Sequence, residues 1–95
     1  MKSATKPATV VSELQVARNT YDESVRVTEA FGIQLGIRKR ALLAVPGWDT
    51  NKQAELQLRV EECQGQLEAA ERREYACWQQ VEHLRTVWLS GADHG

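Results

Sequence analysis

Apolar residues in the second half of the chain recur at alternating steps of three and four. This spacing keeps one side of an α-helix facing a single partner helix, as in a coiled coil. The run contains no proline, and its one charged member is Glu74. Its members are Leu56, Val60, Cys63, Leu67, Ala70, Glu74, Cys77, Val81, Leu84 and Trp88. The pattern predicts one long helix whose heptad seam, the row of residues that faces the partner helix, is formed by these positions.

The first half of the chain carries a weaker stripe with the same type of spacing. Gly32 and Gly36 each cost up to ~1 kcal/mol in a helix interior, so we expect a kink or break near residues 31–36. The spacing of the two glycines also predicts a close approach to the second helix at Cys63. The stripe consists of Val11, Leu14, Tyr21, Val25, Thr28, Gly32, Leu35 and Leu42, with Arg18 and Lys39 as polar members.

The strongest turn signal lies at the centre of the chain. Pro46 forces the residue before it out of the helical region, and Gly47 follows directly. Thr50 and Asp49 are equal candidates to cap the next helix. The predicted order is a flexible tail over residues 1–8, a single hairpin domain over 9–91 and a loose C-terminus over 92–95. Within the domain, helix one covers about 10–44 and starts between Thr9 and Ser12, the turn covers 45–49, and helix two covers about 50–89.

The predicted fold class is all-α, an antiparallel two-helix hairpin of the coiled-coil type. With 95 residues the chain is one small domain at most. A lone pair of helices buries little apolar surface, so we expect dimerisation to complete it as a four-helix bundle. Charge is divided unevenly: residues 1–48 have seven basic and four acidic side chains, and residues 49–95 have five and nine. Halves of opposite charge attract each other, which favours either folding back within one chain or pairing between two chains.

Net charge is −1, which gives no overall attraction to nucleic acid or to an anionic membrane. We expect no signal peptide, since residues 1–9 lack an apolar core, and no membrane span, since no apolar run is long enough to cross a bilayer. Cys63 and Cys77 lie fourteen residues apart on one helix face, roughly 21 Å, which is too far for a disulfide. Two unpaired thiols are typical of a reducing compartment, so we expect a cytoplasmic protein.

No group of residues has the spacing of a catalytic or metal site. His83, His94 and the two cysteines form neither a CxxC nor an HxxxH pair. Nucleophile–base pairs and phosphate-binding loops are absent as well. Glu74 lies alone in the seam, where Tyr21 or Arg18 is expected to bond it and fix the register. We therefore expect no enzyme activity, no metal and no cofactor.

Near the end of helix two, large side chains repeat at steps of three and four beside the seam. Tryptophan, tyrosine and arginine are the residue types most enriched in binding hot spots. Helix two also extends past the predicted start of helix one, so the end at Trp88 is expected to lack a cover. We call this set the aromatic stripe: Tyr75, Trp78, Val81, Arg85, Trp88 and Leu89. Phe31, Ile33 and Ile37, on a second apolar side of helix one, form a predicted secondary interface.

The sequence thus favours a non-enzymatic interaction module, such as a small adaptor, a chaperone-like subunit or an inhibitor of the kind encoded by phages and mobile elements. In this hypothesis the aromatic stripe docks on a larger protein, unless the stripe is instead the core of a homodimer. The alternative is a nucleic-acid-associated module that uses Arg38, Lys39 and Arg40. Three charges without supporting aromatics give weak affinity for nucleic acid, so this partner is the less favoured one.

Overall fold

A computed structural model of the chain is all-helical, with two helices that pack against each other as a hairpin. It describes the backbone of residues 2–94 and the side chains of residues 11–91. Helix α1 spans Lys2–Leu43 and helix α2 spans Thr50–His94. Over this range neither helix combines the length and the apolarity that crossing a membrane requires. The predicted all-α hairpin is confirmed.

Both helices are longer than the sequence analysis predicts. Helix α1 starts at Lys2, so the backbone of residues 2–9 is helical where a tail is expected. Pro7 has no N–H to donate, but near the start of a helix this removes a single backbone hydrogen bond, and alanines beside it favour helix. Helix α2 continues past Gly91 to His94. The glycine does not adopt the left-handed conformation of a helix terminus, since no residue described here has positive φ.

The connection between the helices comprises residues 44–49. Helix α1 closes with hydrogen bonds from the amide of Ala44 to the carbonyls of Arg40 and Ala41. Of the two predicted caps for α2, Asp49 is the one used: its Oδ1 accepts from the amide of Lys52 at 3.1 Å. The side-chain amide of Gln53 also donates to the carbonyl of Pro46 at 3.3 Å, which ties the turn to α2.

The helices divide into two compact units. The turn unit comprises Arg26–Arg72, and the terminal unit comprises Met1–Val25 with Arg73–Gly95. In the turn unit, Leu35, Val60 and Cys63 form a buried cluster against which Leu42 and Leu67 pack. The thiol of Cys63 donates to the carbonyl of Phe31, with 3.7 Å from Sγ to O. This cluster is the aliphatic core of the turn unit.

The terminal unit buries smaller side chains. Ala17 and Leu84 are its buried apolar residues among those described, and Ser24 is buried with them. The Ser24 hydroxyl donates to the carbonyl of Tyr21 at 2.6 Å, which satisfies a polar group that burial would otherwise penalise. Tyr21 itself is half-buried.

The heptad seam predicted for α2 is largely confirmed by burial. Nine of its ten members are buried or half-buried, and the exception is Trp88. The stripe predicted for α1 is only half right: Arg18, Gly32 and Lys39 are exposed, whereas the residue before each of them faces inward. The inward row of α1 is Leu14, Ala17, Tyr21, Ser24, Thr28, Phe31, Leu35, Arg38 and Leu42, all buried or half-buried.

The expected break and the expected close approach at the glycines are both wrong. Helix α1 runs through Gly32 and Gly36 without a break. A Cβ added at either glycine would meet no side chain and no neighbouring element within 4 Å. Cys63 contacts the carbonyl of Phe31 instead of the glycine, because at this step of α1 the residue before Gly32 is the one that faces inward.

Candidate functional site

The aromatic stripe lies on α2 within the terminal unit, and most of it is exposed. Its six residues span about 21 Å of helix at 1.5 Å per residue. Four large side chains are solvent-accessible: Tyr75 at 60%, Trp78 at 45%, Trp88 at 39% and Leu89 at 48%. Val81 is half-buried and Arg85 is exposed. The helix therefore presents aromatic and aliphatic surface to solvent along one side.

Two of these rings form a preorganised pair. Tyr75 and Trp78 stack with their centroids 6.0 Å apart and their planes at 22°. A stacked pair at i and i+3 restricts the rotamers of both side chains before any partner arrives, so a partner does not have to order them. The two rings therefore form one continuous aromatic surface at the start of the stripe.

The charged member of the stripe, Arg85, is held by a neighbour on the same helix. Its guanidinium lies 3.5 Å from a carboxylate oxygen of Glu82, and both side chains are largely exposed. An exposed i, i+3 ion pair is weak, so an incoming carboxylate can replace or share Glu82 at little cost. Arg85 thus supplies an accessible cation between Trp78 and Trp88.

Trp88 is exposed, as the sequence predicts, but not for the predicted reason. The sequence analysis expects no helix opposite this residue, yet the backbone of α1 is helical from Lys2 onward. Trp88 nevertheless remains accessible, as does Leu89 beside it. Helix propensity in its first residues extends α1 to Lys2. The Trp88 indole is nevertheless still exposed.

The structure also shows an apolar groove in the terminal unit that sequence analysis missed. Its volume is about 450 Å³. At 100° per residue, its α2 residues Arg73, Ala76 and Gln80 lie on the flank of the seam away from Trp78 and Arg85. Small side chains that pack loosely between two helices leave such a space, and a periodicity search ignores them because alanine and threonine carry little hydrophobic signal. The lining residues are Glu13, Val16, Ala17, Thr20, Arg73, Ala76, Cys77, Gln80 and Leu84.

The predicted secondary interface is divided by the structure. Phe31 belongs to the inward row of α1, where it is half-buried and its carbonyl accepts from Cys63. Ile33 and Ile37 lie on the opposite side of the helix and are 64% and 47% exposed. These three residues therefore do not share one surface.

The basic cluster at the end of α1 is also split between faces. Arg38 is half-buried in the inward row, whereas Lys39 and Arg40 are exposed. Glu55, near the start of α2, bonds Arg59 one turn further along the same helix at 3.3 Å. The three cations therefore do not form one continuous surface for a phosphate backbone.

Glu74 is half-buried in the α2 seam of the terminal unit. Within residues 11–91 it forms no hydrogen bond and no ion pair, so the expected bond to Tyr21 or Arg18 is not observed. Cys63 and Cys77 are free thiols, the first buried and the second half-buried. No group of three or more histidine, cysteine or acidic residues is placed to hold a metal within the described part of the chain.

Comparison with known protein families, with curated proteins and with solved structures finds no match to this chain.

Proposed function

We propose that this protein is a non-enzymatic interaction module that docks the aromatic stripe of α2 on a larger protein, as an adaptor, a chaperone-like subunit or an inhibitor. The observation that supports this most is the accessibility of four large apolar side chains along one side of a single helix, two of them already stacked. Exposed apolar surface of this extent is a liability unless a partner covers it.

The chemistry of the stripe favours a partner with an apolar groove and an acidic rim. Indole and phenol rings contribute large contact area with few rotatable bonds, so they lose little entropy on binding. Arg85 contributes a guanidinium that can bind a carboxylate in two parallel hydrogen bonds. Helix-in-groove docking with anchors at steps of three and four is a known recognition mode for such a surface.

We further propose that the hairpin works as a homodimer in the cytoplasm. No side chain described here is fully buried, so two helices alone leave the core thin. Dimerisation would shield more apolar surface, as a four-helix arrangement does. Two free cysteines are compatible with a reducing compartment.

The test is an affinity pull-down from the native host, followed by titration of the captured partner. Trp88→Ala and Arg85→Ala should each weaken binding at least about tenfold while helical content by circular dichroism stays constant. Val87→Ala is the matched control, because Val87 is 41% exposed and points to the other flank of α2. Equal loss from the control would mean that binding depends on α2 as a whole and not on the stripe.

Two further measurements separate this proposal from the alternatives. Changing Arg38, Lys39 and Arg40 together to alanine should have little effect on binding, and affinity should fall only weakly with salt. A steep salt dependence together with loss of activity in the triple variant would instead identify a nucleic-acid partner. Dissociation of a homodimer by Trp88→Ala, with loss of helix, would make the stripe a dimer core.

A further inference from the structure

Helix α1 has a second row of heptad spacing on the side that faces solvent. Its members follow one another at steps of four and three, and all are exposed. At 100° per residue, Ile33 and Ile37 lie about 160° from the buried Leu35, one on either side of the direction opposite α2. We call this row the outer α1 face: Arg26, Ala30, Ile33, Ile37 and Arg40.

A heptad row is expected to face another helix, and α2 cannot serve here because it covers the inward row of α1. Ile33 and Ile37 supply the apolar centre of the face, while Ala30 on one edge is small enough for a second helix to come close. A helix that is apolar on two opposite sides requires cover on both. The outer α1 face therefore requires a helix other than α2 to cover it.

We propose that the outer α1 face binds the same face of a second copy, with the two α1 helices antiparallel about a two-fold axis near residue 35. In this arrangement Ile33 of one copy faces Ile37 of the other, and the contact is formed twice. Self-complementary contacts of this kind are what a two-fold dimer interface requires.

The charges beside the isoleucines fit the same axis. Glu29 and Arg40 are eleven residues apart, about three helical turns, so they lie on the same edge of the face. Across an antiparallel two-fold pair, residues on the same edge meet each other. The midpoint of Glu29 and Arg40 differs from that of Ile33 and Ile37 by half a residue, about 0.75 Å along the helix. A single two-fold axis therefore pairs Glu29 with Arg40, and Ile33 with Ile37, between the two copies.

Both charged groups are available for this pairing. Within residues 11–91, neither Glu29 nor Arg40 forms an ion pair or a side-chain hydrogen bond. The same axis brings Arg26 to the level of residues 43–44 in the second copy, at the C-terminal end of α1, where a cation is favoured by the helix dipole. The charge pattern thus favours a second copy of this chain over an unrelated helix.

The inference rests on the dimer proposed above and specifies its interface. The wild type should sediment as a dimer at about 0.1 mM, where even a modest interface is populated. Glu29→Arg and Arg40→Glu should each weaken dimerisation at least about tenfold, because each replaces two attractive pairs with two repulsive ones. An equimolar mixture of the two single variants should form heterodimers with affinity within about threefold of wild type, since every pair is then opposite in sign.

The apolar centre is tested with a matched pair of substitutions. Ile33→Ser should dissociate the dimer, whereas Leu58→Ser should not, although Leu58 is similarly exposed at 57% and lies on α2. Circular dichroism checks that every variant remains helical. If dimerisation is unaffected by the substitutions at Glu29, Arg40 and Ile33, this interface is wrong, although the protein is still a dimer. A wild type that remains a monomer overturns both, while binding through the aromatic stripe is unaffected by either result.

Discussion

The turn unit and the terminal unit are formed by the same two helices, yet they bury different kinds of side chain. In the turn unit Leu35 and Val60 pack with Cys63 as one aliphatic cluster. In the terminal unit Ala17 and Ser24 occupy the inward row of α1, opposite an α2 seam that includes Glu74. Each unit also exposes large apolar side chains, Ile33 and Ile37 in the turn unit and aromatic rings such as Tyr75 in the terminal unit.

Because the two units bury different side chains, we expect the turn unit to contribute most to folding stability and the terminal unit to contribute most to partner binding. Buried aliphatic groups contribute roughly 25 cal/mol per Å² removed from water, so the turn unit should supply most of the free energy of folding. The terminal unit presents the aromatic side chains Tyr75, Trp78 and Trp88 to solvent, and we expect it to contribute less to folding stability. Binding surfaces are commonly drawn from regions of lower local stability.

The largest expected effect compares one leucine from each unit. Leu35→Ala should lower the free energy of unfolding by ~2–4 kcal/mol, because it opens a cavity in the aliphatic cluster. Leu84→Ala should cost only ~1–2 kcal/mol, since Leu84 already borders an open groove. Urea denaturation at one protein concentration measures both. Equal or reversed costs would show that the turn unit is not the main source of stability.

The two cysteines, one in each unit, allow the same comparison with smaller expected losses of stability. Cys63→Ala should cost ~1–2 kcal/mol, because its sulfur is buried in the cluster and contacts the Phe31 carbonyl. Cys77→Ala should cost less than ~0.5 kcal/mol, since the thiol is half-buried beside the groove. Thermal or urea unfolding in reducing buffer compares the two variants. A larger loss at Cys77 would mean that the groove is filled in solution.

Gly32→Ala should stabilise the protein by ~0.5–1 kcal/mol. The new Cβ meets nothing within 4 Å, and alanine lowers the entropy cost of the helix. The free energy of unfolding from urea titration gives the answer, with Gly65→Ala as a second exposed helical site. If Gly32→Ala destabilises while Gly65→Ala does not, the helices approach closely at Gly32, as the sequence alone suggests.

The smallest expected effect concerns Glu74 in the terminal unit. Glu74→Leu should leave stability unchanged or raise it by up to ~0.5 kcal/mol, because a half-buried carboxylate without a bonding partner is replaced by an apolar group of similar size. Sedimentation velocity should show a broader distribution of oligomers if the carboxylate restricts register. A loss above ~1 kcal/mol with a single species would reveal a specific bond to this side chain.

Much of the fold follows from the sequence alone. The strict heptad run from Leu56 to Leu84 and the Pro46-Gly47 pair determine two long helices and the position of the turn, because helical periodicity and proline sterics act locally. The side of α2 that carries the aromatic stripe follows from the same periodicity. Its role in binding stays a prediction, as does the dimer.

The inward row of α1 was decided by tertiary packing. Sequence analysis chose Arg18 and Gly32 as stripe members, whereas Ala17 and Phe31 are the inward residues at those steps; Val25 is half-buried beside the buried Ser24. A serine that bonds its own backbone and a small alanine are suited to the interior of a tight helix pair, although neither has a strong hydrophobic signal. The observed inward face is rotated from the predicted stripe by roughly half a residue, so Leu35 stays inside, Gly32 is exposed, and Ile33 and Ile37 lie opposite α2. Local propensity cannot specify that rotation, because it depends on which side chains of α2 must be covered.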